Sequence, residues 1–307
     1  MRVSRRLGIE LFVKRDDLIG IGAGGNKLRK LDLILGNTVE DGVTWLLTTG
    51  GVQSNHARLT AAAAAKLGLR CTLHLRGEAP SDNGNVLLDH LFGAEVRLHG
   101  PAEYPVVYER MSEHAGELRT RGETPLLIPL GGATAHGTAA YVAAFAEILA
   151  DCEGQKFRPD VVLVAAGTAS TFAGLELGAR LLAPKTDVIG ISVSWSKDRL
   201  IEECEKLIRD TCVLLNVPTP PRREAHFDSG YIGPGYAQIS EAGLREVVAV
   251  AREQGVLCDT TYTGKALAGL AGLCANGRIP RGAKVVFVHT GGVPELFTRS
   301  ALELGLC

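Results

Sequence analysis

The sequence predicts an α/β protein of two lobes, each built on a parallel-rich twisted sheet flanked by helices. Three observations carry this: strand-like and helix-like stretches alternate, the later strand candidates are apolar almost throughout, and the residues just after the strands are rich in glycine and small polar side chains. Short β-rich runs ending in glycine or polar residues come first, at VTWLLTTG (43–50), CTLHLRG (71–77), AEVRLHG (94–100) and LLIPLGG (126–132). A second set follows at VVLVAAG (161–167), VIGISVS (188–194) and VVFVHTGG (285–292), each apolar enough for burial on both faces. Helical stretches at 57–67, 141–149, 172–182, 199–214 and 241–254 lie between them. The charged, turn-rich DCEGQKFRPD (151–160) separates the two strand sets, so the expected division is a large lobe of residues 1–30 and 146–307 and a smaller lobe of residues 31–145.

Composition narrows the class. With 307 residues, 46% apolar and 22% charged, the chain is long enough for two lobes with separate cores. Lys plus Arg number 33 against 34 for Asp plus Glu, so there is no global basic field to draw in nucleic acid or a membrane surface. The opening MRVSRRLGIELFVKRDD reaches charges too early for a signal-peptide core and no apolar run approaches a membrane span, which sets the expectation of a cytoplasmic protein. Seven scattered cysteines, Cys71, Cys152, Cys204, Cys212, Cys258, Cys274 and Cys307, form no CxxC pair or zinc-ligand spacing and read as reduced packing residues.

In open parallel sheets ligands bind beyond the carboxyl ends of the strands, and four polar loops stand there: GGVQSNH from Gly50, GGATAHG from Gly131, GTASTFAG from Gly167 and TGGVPE from Thr290. Ahead of them lies GGNKLRKL (24–31), with Lys27 at its centre. A lysine amine forms an imine with a carbonyl cofactor only when neutral, and a desolvated pocket or a neighbouring cation lowers its pKa to that end. Gly24 and Gly25 supply positive φ for close approach to a bound ring, and Asn26 offers it both donor and acceptor. The same residues also fit an ordinary turn opening a surface helix. In GTASTFAG, glycine and small hydroxyl residues between strand and helix present successive amides to an anion. That loop lacks the Walker lysine and is not GxGxxG, which argues against a nucleoside triphosphate and leaves a monophosphate-bearing cofactor, with simple helix capping as the alternative.

A lysine after a glycine turn, a polar Ser-Asn pair, a phosphate cup and a terminal glycine loop are together the parts of a pyridoxal-phosphate site. With these in order the chain resembles the D-cysteine desulfhydrase and 1-aminocyclopropane-1-carboxylate deaminase family, of the tryptophan-synthase-β-like fold type II. The resemblance runs through VKRDDL at Val13, GGNKLRKL, GGVQSNHARLTAAAAAKLGL, GPGYAQIS at Gly233, YTGKALAGL at Tyr262 and HTGGVPELF at His289. It implies pyridoxal 5'-phosphate as cofactor, a small amino-acid substrate, no metal, and a homodimer. Under it Lys27 carries the imine, Asn26 supports the hydroxyl side of the ring, and Gly167, Thr168, Ala169, Ser170 and Thr171 hold the phosphate. Ser54, Asn55 and His56 meet the substrate carboxylate and reacting carbons, with Ser54 near the α or β carbon, and Tyr236 and Tyr262 flank the substrate.

Thr263 bears on the choice of reaction. In the cyclopropane deaminases this position, in YEGK, resembles a glutamate that protonates the pyridine nitrogen, whereas YTGK and Thr290 in HTGG follow the desulfhydrase pattern. A neutral ring is a weaker electron sink and suits prompt departure of a β leaving group, so β-elimination is expected over ring opening. The chain departs from the family in a short start before VKRDD, in Ser170 where a glycine is usual, and in GGATAHGTAAYV, which places Thr134 and His136 near the substrate side. His136 either begins a helix or tunes an anionic substrate tail. Elimination from D-cysteine, from L-cysteate or from another β-substituted alanine, racemisation or β-replacement, and a non-catalytic small-molecule-binding protein all remain open on the sequence.

Overall fold

The computed structural model describes residues 1–78 and 82–306; Cys307 lies outside the described residues. In chain order the elements are α1 (Arg2–Leu7), β1 (Glu10–Arg15), α2 (Lys27–Ile34), β2 (Trp45–Gly51), α3 (Asn55–Leu67), β3 (Arg70–Arg76), α4 (Gly84–Leu91), β4 (Glu95–Leu98), α5 (Tyr104–Thr120) and β5 (Pro125–Ile128). There follow α6 (Ala135–Gly154), β6 (Val161–Ala166), α7 (Ser170–Leu182), β7 (Asp187–Ser192), α8 (Lys197–Leu215), β8 (His226–Asp228), α9 (Glu241–Gln254), α10 (Thr263–Ala275), β9 (Lys284–His289) and α11 (Val293–Leu296). They build two sheets, a five-stranded one in the order β1-β9-β6-β7-β8 and a four-stranded one in the order β4-β3-β2-β5. Every pairing between named strands is parallel. The expected lobe bounds at 30/31 and 145/146 fall inside α2 and α6.

Burial follows the composition of each strand. All six residues of β6, VVLVAA, are buried, because β9 and β7 pair with it on its two edges and helices cover both faces. One face packs with Tyr141, Phe145, Phe172 and Leu175. The other, through Leu163, packs with Leu11, Ile191, Leu270 and Phe287. In the four-stranded sheet Leu46 and Leu73 meet the alanine-rich face of α3, where Ala57, Ala61 and Ala64 allow the helix close to the strands. The LLIPLGG strand stops at Ile128, since Pro129 has no amide to extend the ladder. Six cysteines are free thiols, five of them buried. Among the described residues no helix is long and apolar enough to cross a membrane.

The segment leading to Lys27 is fixed from below. Asp16 is buried; its carboxylate accepts from Tyr141 Oη at 2.6 Å and Arg29 Nε at 3.0 Å, and its carbonyl accepts from Gly25 N at 2.9 Å. Gly24 and Gly25 have φ of 65° and 128°, the positive values expected of them. A Cβ on Gly24 would sit on the Asp17 carbonyl oxygen. Replacing Gly24 with Ala therefore combines a left-handed backbone penalty with overpacking, and we expect a loss of about 2–4 kcal/mol in denaturant unfolding. A loss below about 0.5 kcal/mol would mean that the turn relaxes freely.

Candidate active site

Because the strands are parallel, their carboxyl ends open toward one side, and there a cavity of about 480 Å³ lies between the sheets. β2 delivers Ser54, Asn55 and His56; β5 delivers Leu130 and Gly131; β6 delivers Gly167, Thr168 and Ala169, with Thr171 and Phe172 on α7. β7 contributes Ser194, Trp195 and Arg199, and β9 contributes Thr290. Asn26 and Lys27 open α2 into this space, Arg76 ends β3, Glu103 and Tyr104 begin α5, and Tyr236 and Tyr262 close a further side. A separate apolar hollow of about 680 Å³ lined by α1, β1 and α9 residues holds none of the expected site residues.

Lys27 Nζ donates to the Gly131 carbonyl at 3.1 Å, and burial pushes its pKa down to about 8. Lys30, one helical turn on, is fully buried, donates to the same carbonyl at 3.3 Å and is held well below the usual lysine range, first by burial and then by the charge of Lys27. Gly131 has φ of 67°, and a Cβ there would stand 2.9 Å from Thr168 Oγ1 and 3.2 Å from Lys27 Nζ, so glycine keeps the space beside the amine open. Asn26 ties two neighbouring loops together: its amide donates to the Thr290 carbonyl at 3.0 Å and its Nδ2 donates to Thr171 Oγ1 at 3.1 Å.

At the start of α7 the left-handed residue is Ala169, with φ of 58°, rather than a glycine. The first-turn amides of this helix have no preceding carbonyl within the helix and border the cavity through Thr171 and Phe172. An amine with a lowered pKa, an asparagine beside it and a helix start rich in amide donors fit a carbonyl cofactor that carries a monophosphate.

Ser54 caps α3, its Oγ accepting from Ala57 N at 3.2 Å. His56 is buried and held well below the usual histidine range by burial and by Lys27 and Lys30. Thr48 Oγ1 donates to the Ile128 carbonyl at 2.9 Å, so the 3.0 Å contact to His56 requires the imidazole to donate from Nε2, and Nδ1 is buried with no hydrogen-bond partner within 3.5 Å among the described residues. Tyr236 and Tyr262 share one hydrogen bond of 2.7 Å between hydroxyls, which leaves one phenolic proton uncommitted. Both phenols are raised above their ordinary pKa, chiefly by desolvation of hydroxyls that turn into the cleft, although the Tyr236 side chain as a whole is exposed, and both remain protonated at neutral pH.

Three residues expected at the site stand outside the cavity lining. Thr134 Oγ1 accepts from Gly137 N at 3.0 Å and caps α6. Ser170 Oγ turns to Thr138 Oγ1 at 3.1 Å, into the α6–α7 contact. Thr263 Oγ1 donates to buried Asp259 Oδ2 at 2.7 Å and accepts from Asp259 N at 2.8 Å, because it sits where α10 begins and Asp259 caps that helix start. In each case local capping or packing claims the hydroxyl. His136 is exposed in the first turn of α6 and also lies outside the lining. Arg76, Tyr104, Trp195 and Arg199 were missed; Arg76 is the last residue of β3 and Trp195 lies in the loop after β7, so looking at the carboxyl ends of these two strands would have found them.

A family model described as pyridoxal-phosphate dependent enzyme matches residues 1–291. The chain belongs to that family. It is a pyridoxal-phosphate-dependent enzyme with the fold type II architecture. A Pyrococcus abyssi protein with the provisional name 1-aminocyclopropane-1-carboxylate deaminase is 38% identical over 296 residues, 96% of this chain and 88% of its own. A Klebsiella pneumoniae (strain 342) protein named D-cysteine desulfhydrase is 38% identical over 303 residues, 96% of this chain and 90% of its own. A solved structure described as an ACC deaminase homologue superposes with a TM-score of 0.91 at 36% identity, covering 100% of this chain and 91% of that one.

Borohydride reduction of the loaded enzyme followed by peptide mass mapping should place the pyridoxyl adduct on Lys27, and Lys27→Ala should carry none. Lys30 and Lys265 are the competing amines; Lys265 Nζ is tied to the Ile232 and Gly235 carbonyls at 2.8 and 2.6 Å, away from the cavity lining. An adduct on either one would remove Lys27 from its assigned role.

Proposed function

We propose that this pyridoxal-phosphate enzyme is a D-cysteine desulfhydrase-like lyase, eliminating the β-substituent of a small amino acid and releasing a keto acid and ammonia. The observation that carries the proposal is the acid content of the cavity. Among the lining residues the one carboxylate is Glu103, and Arg76 holds it at 2.9 Å. Thr290 borders the cavity, and Thr263 stands outside the lining with its hydroxyl on Asp259, so neither position puts a carboxylate into the cavity. Ring opening of a cyclopropane needs a long-lived carbanion and a strong electron sink, whereas elimination discharges the carbanion as soon as the β-substituent leaves.

When bound, pyridoxal phosphate supplies the electron sink for loss of the α-proton. In this reading Lys27 Nζ, with a pKa brought down to about 8, takes the α-proton near neutral pH. Ser54 and Asn55, at the α3 start, orient the substrate carboxylate with the positive end of the helix behind them. The uncommitted phenolic proton of the Tyr236–Tyr262 pair goes to the departing β-group, which a phenol with a raised pKa holds ready in protonated form. Water then converts the released enamine into keto acid and ammonia.

A second substrate reading rests on Arg199. Its guanidinium stacks on Trp195, 3.8 Å from the ring centroid, and has no carboxylate partner among the described residues. Such a cation favours a β-substituent that carries its own negative charge, a sulfonate for instance, as in elimination from cysteate.

The test is to offer the holoenzyme both enantiomers of cysteine and cysteate together with 1-aminocyclopropane-1-carboxylate, reading keto acid, ammonia, and sulfide or sulfite. We expect kcat/KM for the best β-substituted amino acid to exceed that for the cyclopropane by about 100-fold or more, equivalent to ~2.7 kcal/mol of barrier. Faster ring opening, or racemisation without keto acid, would replace elimination as the reaction.

A further inference from the structure

Arg58 lies in the first turn of α3, one turn beyond the residues that border the cavity, and is among the largest side chains with no exposed surface. Its guanidinium reaches out of the four-stranded sheet's own helix into the turn that follows β1. Nη1 donates to the Gly22 carbonyl and Nη2 to the Gly24 carbonyl at 3.2 Å, the turn that ends three residues later in Lys27. The same Nη2 reaches Asn55 Oδ1 at 3.5 Å, and Asn85 Nδ2 donates to that oxygen at 3.1 Å. One guanidinium thus touches the two segments that supply the cofactor-bearing amine and the Asn55 side of the substrate pocket.

The counter-charge sits behind it. Asp89 on α4 is fully buried, and among the described residues neither of its carboxylate oxygens has a hydrogen-bond partner and Arg58 Nε is likewise unpartnered. Burial raises Asp89 to about 8 while Arg58 draws it back, and burial lowers Arg58 to about 10 while Asp89 supports its charge. A buried cation whose hydrogen bonds go to backbone carbonyls and an amide, not to its acid, is costly as a stability device. Its geometry serves position instead: a planar fork fixes two carbonyls of the glycine turn from the α3 side, opposite in chain origin to the Asp16 contacts that hold the turn's other end.

We propose that Arg58 is a positioning residue for this enzyme, setting the Lys27 turn and Asn55 in one register across the two sheets. The proposal rests on the roles assigned above to Lys27 and Asn55. Arg58 touches neither cofactor nor substrate, so its effect must travel through those two neighbours.

Arg58→Lys keeps the charge and loses the fork, and it separates positioning from simple burial of a cation. In the apoprotein of this variant the rate at which Lys27 captures pyridoxal phosphate, followed by absorbance, should fall about tenfold or more, with the adduct still on Lys27. In the loaded variant the substrate KM should rise by a similar factor. A double-mutant cycle with Asn55→Ala should be non-additive in KM by at least about threefold, because each change loosens the same contact. Arg58→Met extends the series if it folds; Arg58→Lys alone decides if it does not. Capture rate and KM of Arg58→Lys both within twofold of the parent, with an additive cycle, would overturn the proposal. The capture assay needs no turnover, so a parent that loads cofactor but releases no keto acid would sink the elimination reading and leave this test standing.

Discussion

The site is organised around the desolvation of two neighbouring amines, half-buried Lys27 and fully buried Lys30. Two lysines one helical turn apart donate to a single carbonyl, that of Gly131, inside the crease between two sheets. Two full ammonium charges cannot be solvated there, so both amines are driven toward the neutral form, Lys30 well below its ordinary range and Lys27 to about 8. The consequence for stability has a definite sign. A lysine whose folded pKa lies below its unfolded value, near 10.4, costs stability while it is protonated, and the cost is relieved as pH rises from about 8 toward that value. A neutral amine is what imine chemistry requires, and the role proposed for Lys27 makes use of it.

Parallel topology is what brings these amines into a desolvating crease. Strand ends from both sheets arrive on one side, each followed by a loop and a helix start, so backbone amides and small hydroxyls wall the cavity with few competing charges. The charges that do line it are nearly spoken for: Glu103 neutralises Arg76, His56 is neutral with its Nε2 proton on Thr48, and Arg199 rests on Trp195. The amine and the first turn of α7 therefore border one cavity with few other charges in it.

Much of this was legible in the sequence, for identifiable reasons. The buried strands announced themselves by continuous apolar runs, and the helix at Glu241–Gln254 by a clean amphipathic period with Ser240 before it and Gly255 after it. Short or half-exposed strands did not: β1 mixes apolar and charged residues, and β8 has three residues whose pairing with β7 depends on tertiary context. The α5 helix was passed over although Val107, Met111, Ala115 and Leu118 recur at helical spacing. At the site, motif position brought Lys27, Asn26, Ser54, Asn55, His56, Thr290 and both tyrosines to the cavity border. It could not say which way Thr134, Ser170 and Thr263 turn, because each stands at a helix start where capping or packing competes for a hydroxyl. Arg58 was visible as a letter in SNHAR, but its reach to Gly22 and Gly24 depends on how two sheets meet.

The most direct test of this account is the pH dependence of cofactor capture by the apoprotein, followed by absorbance from pH 6 to pH 11, with Lys27→Ala as the blank. Burial of the amine predicts that the capture rate rises through a midpoint near pH 8 and then levels off. A rate that is still climbing through pH 10, as for a solvated lysine, would contradict it.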